Sequence, residues 1–189
     1  MEKSLVLGSA SPRRKSLLEL AGFQFEVRTS DADETAISNK EPEMLVQRLA
    51  QLKAEQIVTT ENEVLVTADT VVSFAGKVLG KPETRREAIE TLQLLSGKTH
   101  EVHTGVLIRG YDQYKIFAVK TIVKFMELTE ADIIRYVNTG DPFDKAGSYG
   151  IQTKGALLVK GIRGDYYNVV GLPIAFLVKE LEKFDITPS

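Results

Sequence analysis

Leu5-Val6-Leu7-Gly8-Ser9-Ala10-Ser11-Pro12-Arg13-Arg14 joins an apolar tripeptide to a small polar turn and then to an amphipathic run, Leu17-Leu18-Glu19-Leu20-Ala21. It reads as a strand, a tight turn and a helix start. Ser11 suits the N-cap, where its hydroxyl accepts from a free amide of the first turn. Pro12 suits the first helical position, where its missing N–H costs nothing. Gly22 suits the position just past the helix end. The charge is out of place, because arginines in a first turn oppose the helix dipole, which prefers anions there. Helix-start amides favour phosphate, and two guanidinium forks can grip it bidentately. The bland alternative is a pair of solvated surface arginines.

Outward from this stretch, residues 23–29 alternate apolar and polar, as a half-buried strand does. Residues 30–41 form a polar, acidic loop, and Pro42 opens a helix to about Val58 with Leu45, Leu49, Leu52 and Ile57 near one face. A strand at 63–68 ends at Asp69-Thr70, and Val71 to Phe74 continue it to a hairpin turn at Ala75-Gly76 before Lys77-Val78-Leu79. A helix follows from about Glu83 to Leu95. Residues 100–109 and 114–126 are rich in β-branched and aromatic residues and read as paired strands. Thr129-Glu130-Ala131-Asp132 resembles a capping box for a helix to about Asn138. A glycine-rich segment, 144–155, precedes a strand at 156–162, a loop at Gly164–Asn168 and a last helix from Pro173 to about Phe184. Helices interleaved with hairpins predict an α/β fold on a mixed sheet.

The 189 residues fit one domain or two closely packed lobes, with no linker, repeat or low-complexity tract. Hydrophobic content of 43% and charged content of 26% are those of an ordinary soluble chain. A net charge of −2 argues against a general nucleic-acid or membrane surface, so any anion site is local. The absence of cysteine excludes disulfides, thiolate catalysis and cysteine-ligated zinc. No apolar stretch approaches the roughly 20 residues of a membrane span. The start, MEKSLVLGSA, is too short for a signal peptide, so a cytoplasmic protein is expected. There is no G-x-G-x-x-G and no G-x-x-x-x-G-K-[ST], which removes the dinucleotide fingerprint and the P-loop.

Asp69 closes the run Val64-Leu65-Val66-Thr67-Ala68, which looks buried on both faces. A carboxylate there is costly unless it is paired or binds a cation. It is expected to be a magnesium ligand or general base, with an Asx-turn as the alternative. Glu34, in the acidic loop, would complete a magnesium pair with Asp69, or else is simply solvated. Lys53 and Lys81 are candidate point charges for phosphate, each with an ordinary surface role as the alternative. Gln152 carries an amide that can both donate and accept, which suits a base edge or a loop hydrogen bond. Thr70 offers a hydroxyl to the same ligand or to the strand. His100 and His103, three residues apart in a strand, fall on opposite or skewed faces and are not expected to share a metal. No H-E-x-x-H or G-x-S-x-G supports metalloprotease or serine hydrolase chemistry.

Seven segments in order resemble the Maf family of septum-formation-like proteins, which act as nucleoside triphosphate pyrophosphatases. They are Ser9–Arg14 (S-x-S-P-R-R), Leu52-Lys53-Ala54, Ala68-Asp69-Thr70, Gly80-Lys81-Pro82, Leu95-Ser96-Gly97, Asp144–Gln152, and Gly164–Tyr167 leading to Gly171-Leu172-Pro173. The resemblance spans Leu5 to Phe184. It implies an elongated mixed sheet flanked by helices, with two lobes around a cleft, like the inosine triphosphate pyrophosphatase fold. It also implies a homodimer and a divalent cation, Mg²⁺ or Mn²⁺. It makes Asp69 the proton acceptor and metal ligand, with Glu34 as the second ligand. It assigns substrate binding to Ser9, Arg13, Arg14, Lys53, Thr70, Lys81 and Gln152. The combination Arg13, Thr70 and Gln152 resembles the subfamily acting on dTTP and UTP and not the one preferring 7-methyl-GTP. A nucleotide-binding regulator of septum formation with little catalytic role is the competing expectation.

Overall fold

Leu5, Val6 and Leu7 are all buried, because β1 (Ser4–Leu7) lies inside a sheet with both faces covered. Leu5 and Leu7 point into one apolar cluster and Val6 into another, as alternation along a strand requires. In a computed structural model describing residues 3–32, 37 and 41–189, β1 leads through the turn into α1 (Pro12–Leu20) and β2 (Phe25–Val27). Then follow α2 (Pro42–Glu55), β3 (Glu63–Phe74), β4 (Lys77–Leu79), α3 (Arg85–Leu95), β5 (Thr99–Arg109) and β6 (Tyr114–Phe125). The chain ends with α4 (Glu130–Val137), three short 3-10 turns between Asp141 and Leu158, β7 (Val159–Arg163), α5 (Tyr166–Val170) and α6 (Ile174–Glu182).

The seven-stranded sheet has the order β2-β1-β3-β5-β6-β7, with β4 also pairing with β3. β1 is parallel to both β2 and β3, and the remaining pairs are antiparallel, so the sheet is mixed as expected. One face carries α2, whose Ala50 and Ala54, with Ile57 just past the helix end, pack against Val6, Leu65 and Leu107. The other face carries two separate apolar clusters. The first joins Leu5, Leu7, Val64, Val66, Val106 and Ile108 to α1 and α6 through Leu17, Leu18, Leu177 and Leu181. The second joins Val72, Val102, Val123 and Phe125 to α3 and α4 through Leu92, Leu95, Ile133 and Val137. Between them, on the same face, the residues are polar: Thr70 of β3 stands opposite Thr104 of β5.

Ser11 caps α1 by accepting from the Arg14 amide, and Pro12 opens the helix. Thr129 and Asp132 form the expected capping box on α4. Several boundaries move. The strand expected over 23–29 is only Phe25–Val27, and α2 stops at Glu55 before the turn that returns to β3. Residues 154–158 form a 3-10 turn ahead of β7, and the expected loop at 164–168 contains α5, capped by Asp165. Asp69 does not end a strand. It lies within one continuous 12-residue β3, whose antiparallel pairing with β5 carries it through to Ser73.

Candidate active site

β1 leaves β3 at the Leu7–Val66 pair, and β4 joins the same edge only at Val72–Leu79. Between these pairings the edge of β3 has no strand beside it among the described residues. Successive side chains of a strand point to opposite faces, so Asp69 and Thr70 reach the gap from opposite sides. A cleft of about 600 Å³ wraps this edge and takes in both residues, within the size range of small-molecule sites. Arg13, Arg14, Lys53, Lys81, Gly150 and Gln152 also line it.

On the α2 side, Lys53 Nζ lies 2.5 Å from Asp69 Oδ1, and both side chains are largely buried. Lys53 occupies the last turn of α2, where a cation complements the helix dipole. Leu45, Val46 and Leu49 pack against Val71 and fix the helix over the strand. Asp69 Oδ2 receives no hydrogen bond among the described residues. It is a hard oxygen on a cleft wall, the donor type Mg²⁺ takes when it also binds substrate phosphates. Glu34 lies outside the described residues. Among those described, no cluster of three His, Asp or Glu side chains is placed to hold a metal.

On the opposite side, Arg14 is 9% exposed. Its Nε donates to the Gly171 carbonyl (2.8 Å), Nη1 to Ser9 Oγ (3.1 Å) and Nη2 to Thr70 Oγ1 (3.1 Å). It therefore ties α1 to β3 and to the turn after α5 while keeping its charge at the cleft wall. Ser9 stands behind Arg14 and also accepts from the Ser11 amide (3.3 Å). Arg13 reaches across the cleft, with Nη1 3.4 Å from Asp144 Oδ2.

The loop bearing Gln152 is held by a polar cluster. Lys145 Nζ donates to the Asp141 carbonyl (2.8 Å), Asp141 Oδ1 (2.9 Å) and Asp144 Oδ1 (2.6 Å). Asp141 Oδ2 accepts from Tyr136 Oη (2.6 Å) and from Thr153 Oγ1, and Tyr136 Oη accepts from the Gly150 amide (3.2 Å). Burial alone would raise the Asp141 carboxyl, but hydrogen bonds from Thr153, Tyr136 and Lys145 outweigh it and hold it below the usual range. Burial and the Asp141 hydrogen bond push the Tyr136 phenol up, so it stays a neutral donor. Gly147 lets the preceding turn pass close to β3. Its φ is +68°, and a Cβ there would meet Val72 at 2.8–2.9 Å. Its amide donates to the Gly80 carbonyl (3.1 Å), anchoring the segment that carries Lys81.

The fold thus pairs Lys53 with Asp69, joins Ser9, Arg14 and Thr70 by hydrogen bonds, and lines the cleft with Arg13, Lys81 and Gln152. Sequence reasoning singled out neither Lys145, Asp141 and Tyr136 nor Thr104, which is fully buried behind Thr70. Lys145 had one signal, its place in the Asp144–Gln152 segment. His100 and His103 are both buried and share no site. His100 Nε2 lies 2.8 Å from Tyr149 Oη, whereas His103 Nε2 lies 3.1 Å from Glu101 Oε2.

The fold, a mixed sheet flanked by helices, is similar to that of solved Ham1 proteins. A Ham1 protein from Staphylococcus aureus superposes with a TM-score of 0.53 at 16% identity, covering 94% of this chain and all of that one. A HAM1 protein from Coxiella burnetii gives 0.51 at 16% identity, covering 96% and 99%. The particular family is fixed by sequence: the family model described as Maf-like protein matches residues 4–184, and the chain belongs to the Maf family. A relative from Bacillus cytotoxicus named dTTP/UTP pyrophosphatase is 52% identical over 184 residues, covering 97% of this chain and 96% of that protein. A relative of the same name from Bacillus cereus strain G9842 is 50% identical over 185 residues, covering 97% of each.

Proposed function

We propose that this chain is a nucleoside triphosphate pyrophosphatase that hydrolyses dTTP and UTP to the monophosphate and pyrophosphate with a divalent cation, Mg²⁺ or Mn²⁺. The observation that carries this reading is Asp69, paired with Lys53 in a cleft lined by Arg13, Lys81 and Gln152, in a chain about half identical to the Bacillus pyrophosphatases along nearly its whole length.

Phosphoryl transfer needs positioning and charge neutralisation more than covalent chemistry. Arg13, Lys53 and Lys81 supply point charges and a guanidinium fork for the triphosphate, and Arg14 adds positive potential from behind Thr70. Binding an anion draws Arg13 from Asp144, whose remaining partner is Lys145. Asp69 Oδ2 would hold the cation, with Glu34 as the second carboxylate, and the cation when bound would neutralise charge developing on the phosphates. Asp69 is also the group that accepts a proton from the attacking water. Lys53 orients its carboxylate by holding Oδ1, which leaves Oδ2 for the cation. Thr70 and Gln152 offer hydrogen bonds to the base.

The same reading takes the chain as one Maf-like unit of two lobes and as a homodimer, which sedimentation of the purified protein checks. It takes the cytoplasm as the site of action. No helix among the described residues is long and apolar enough to cross a membrane. The test is a panel of ribo- and deoxyribonucleoside triphosphates with Mg²⁺ or Mn²⁺, scored by kcat/KM. dTTP and UTP are expected to lead. Equal rates for purine and pyrimidine triphosphates would overturn the pyrimidine assignment.

A further inference from the structure

Among the described residues Thr70 Oγ1 has three hydrogen-bond partners: Arg14 Nη2 at 3.1 Å, Thr104 Oγ1 at 2.8 Å and the Gly171 carbonyl at 3.5 Å. A threonine hydroxyl has one proton and two lone pairs, whereas a guanidinium only donates. Arg14 therefore takes one lone pair of Thr70. Thr104 Oγ1 in turn lies 3.0 Å from the Asn168 carbonyl, which can only accept. The proton order with the shorter bonds runs from Arg14 to Thr70, from Thr70 to Thr104, and from Thr104 to the Asn168 carbonyl. The reverse order would send the Thr70 proton to Gly171 at 3.5 Å, at the limit of a hydrogen bond. In both orders the Thr70 proton is spent inside the protein.

From this chain of hydroxyls we infer that Thr104, which is fully buried behind Thr70, is a specificity-determining positioning residue. It takes the Thr70 proton and so presents Thr70 to the cleft as an acceptor only. The consequence is chemical. A phosphate oxygen has no proton to give such an acceptor, so the ligand group at Thr70 must carry an N–H or O–H. The imide N3–H of uracil and thymine meets that need. The N3 of cytosine brings a lone pair against a lone pair, and a buried polar atom left unpaired is heavily penalised. Methylation at C5 leaves N3–H unchanged, so one acceptor admits both uracil and thymine. The placement is built into the sheet. Thr70 and Thr104 are a register pair of β3 and β5, in the polar strip between the two apolar clusters. Asn168 closes the strip from α5, with its side-chain amide donating to the Val102 carbonyl and Thr121 Oγ1, both at 3.1 Å.

This inference rests on the reading of Thr70 as a base-facing residue of a pyrimidine triphosphatase, and the experiment separates the two. kcat and KM for UTP and CTP are measured for wild type, Thr104→Val, Thr104→Ser and Thr70→Val. Valine keeps the shape of Thr104 but removes its acceptor. Among the described residues that leaves the Thr70 proton the Gly171 carbonyl at 3.5 Å, too weak a partner to keep it from turning toward the cleft and donating to cytosine N3. The UTP:CTP ratio of kcat/KM is expected to fall about tenfold or more in Thr104→Val, mainly through a lower KM for CTP, because a site's hydrogen-bond polarity sets such ratios. Thr104→Ser keeps the hydroxyl and is expected to hold the wild-type ratio. Equal losses for both nucleotides in Thr104→Val, or a serine variant that behaves like valine, would overturn the inference. If Thr70→Val collapses the ratio while Thr104→Val does not, Thr70 reads the base and Thr104 does not direct it. If Thr70→Val leaves the ratio unchanged, the base-facing reading itself fails, and the inference with it. Should Thr104→Val not fold, Thr104→Ala removes the same acceptor and carries the same expectations.

Discussion

Lys53 of α2 and Asp69 of β3 form an ion pair with Nζ 2.5 Å from Oδ1, at the stretch of β3 between its β1 and β4 pairings, whose edge has no neighbouring strand among the described residues. Lysine and carboxylate are both largely withdrawn from water, so each depends on the other or on a ligand to offset its desolvation. Replacing Asp69 by Asn keeps the shape and removes the charge. In Asp69→Asn, kcat is expected to fall by about 100-fold or more. The variant is still expected to gain thermal stability from added UTP, since a ligand that binds only the folded state must raise stability. A kcat within a few-fold of wild type would remove Asp69 from the chemistry.

Arg14 has more than one partner that only its planar fork can satisfy together. Lysine keeps the charge but cannot reach Gly171, Ser9 and Thr70 at once. Arg14→Lys is therefore expected to lose about 2 kcal/mol in urea unfolding, the scale of one or two charged hydrogen bonds. An unchanged midpoint with a raised KM alone would make Arg14 a phosphate cation and not a bracket.

Gly105 of β5 lies beneath α2, where an added Cβ would sit 2.4–2.7 Å from backbone atoms of Val46 and Gln47. Backbone at both sides cannot yield as a flexible side chain would. Gly105→Ala is expected to cost at least about 2 kcal/mol, in line with overpacking of a close-packed interior. Because α2 also carries Lys53, kcat/KM is expected to fall at a temperature where the variant is still folded. A variant with wild-type stability would show that α2 moves freely over the sheet.

The strand, turn and helix at Ser4–Leu20 were legible because each local signal agrees with the next: apolar run, cap, proline, stop. The mixed sheet was legible from alternating hairpins and helices. The middle of β3 was less so. Asp69-Thr70 resembles a strand end, since a carboxylate rarely sits inside an apolar strand. What permits it is tertiary: β1 is only four residues long and exposes the edge of a β3 three times its length. Arg14 illustrates the same limit. Its misplaced charge pointed to an anion from outside, whereas the hydrogen-bond partners that the fold gives it lie up to 157 residues away and leave no local trace. Thr104 is an ordinary β-branched residue in a β-rich run, and its meaning comes only from the register that sets it opposite Thr70. Asp141, Tyr136 and Lys145 likewise become a unit only when the loops around Gly150 close.

His100 is buried among Phe125 and Tyr149, with no carboxylate among the described residues hydrogen-bonded to its ring. Burial pushes its pKa down to about 4, from 6.5 in an exposed histidine. Between these values the unfolded chain binds the proton and the folded one does not, so stability rises with pH there. The folded state is expected to be fully favoured above pH 6.5 and to lose up to about 3 kcal/mol as pH falls toward 4. His100→Gln keeps a polar contact to Tyr149 without the titration. In urea unfolding at pH 7, 5.5 and 4.5, the wild type is expected to lose more stability than this variant. Parallel losses would place the acid sensitivity elsewhere.

The bond that is cleaved is the most direct test of the proposed chemistry. UTP or dTTP is hydrolysed by the wild-type protein with Mg²⁺ in ¹⁸O-water, and the products are read by ³¹P NMR. Attack at the α-phosphorus is expected to give monophosphate and pyrophosphate, with the label in the monophosphate. Release of orthophosphate, or label found in pyrophosphate, would contradict a pyrophosphatase centred on Asp69.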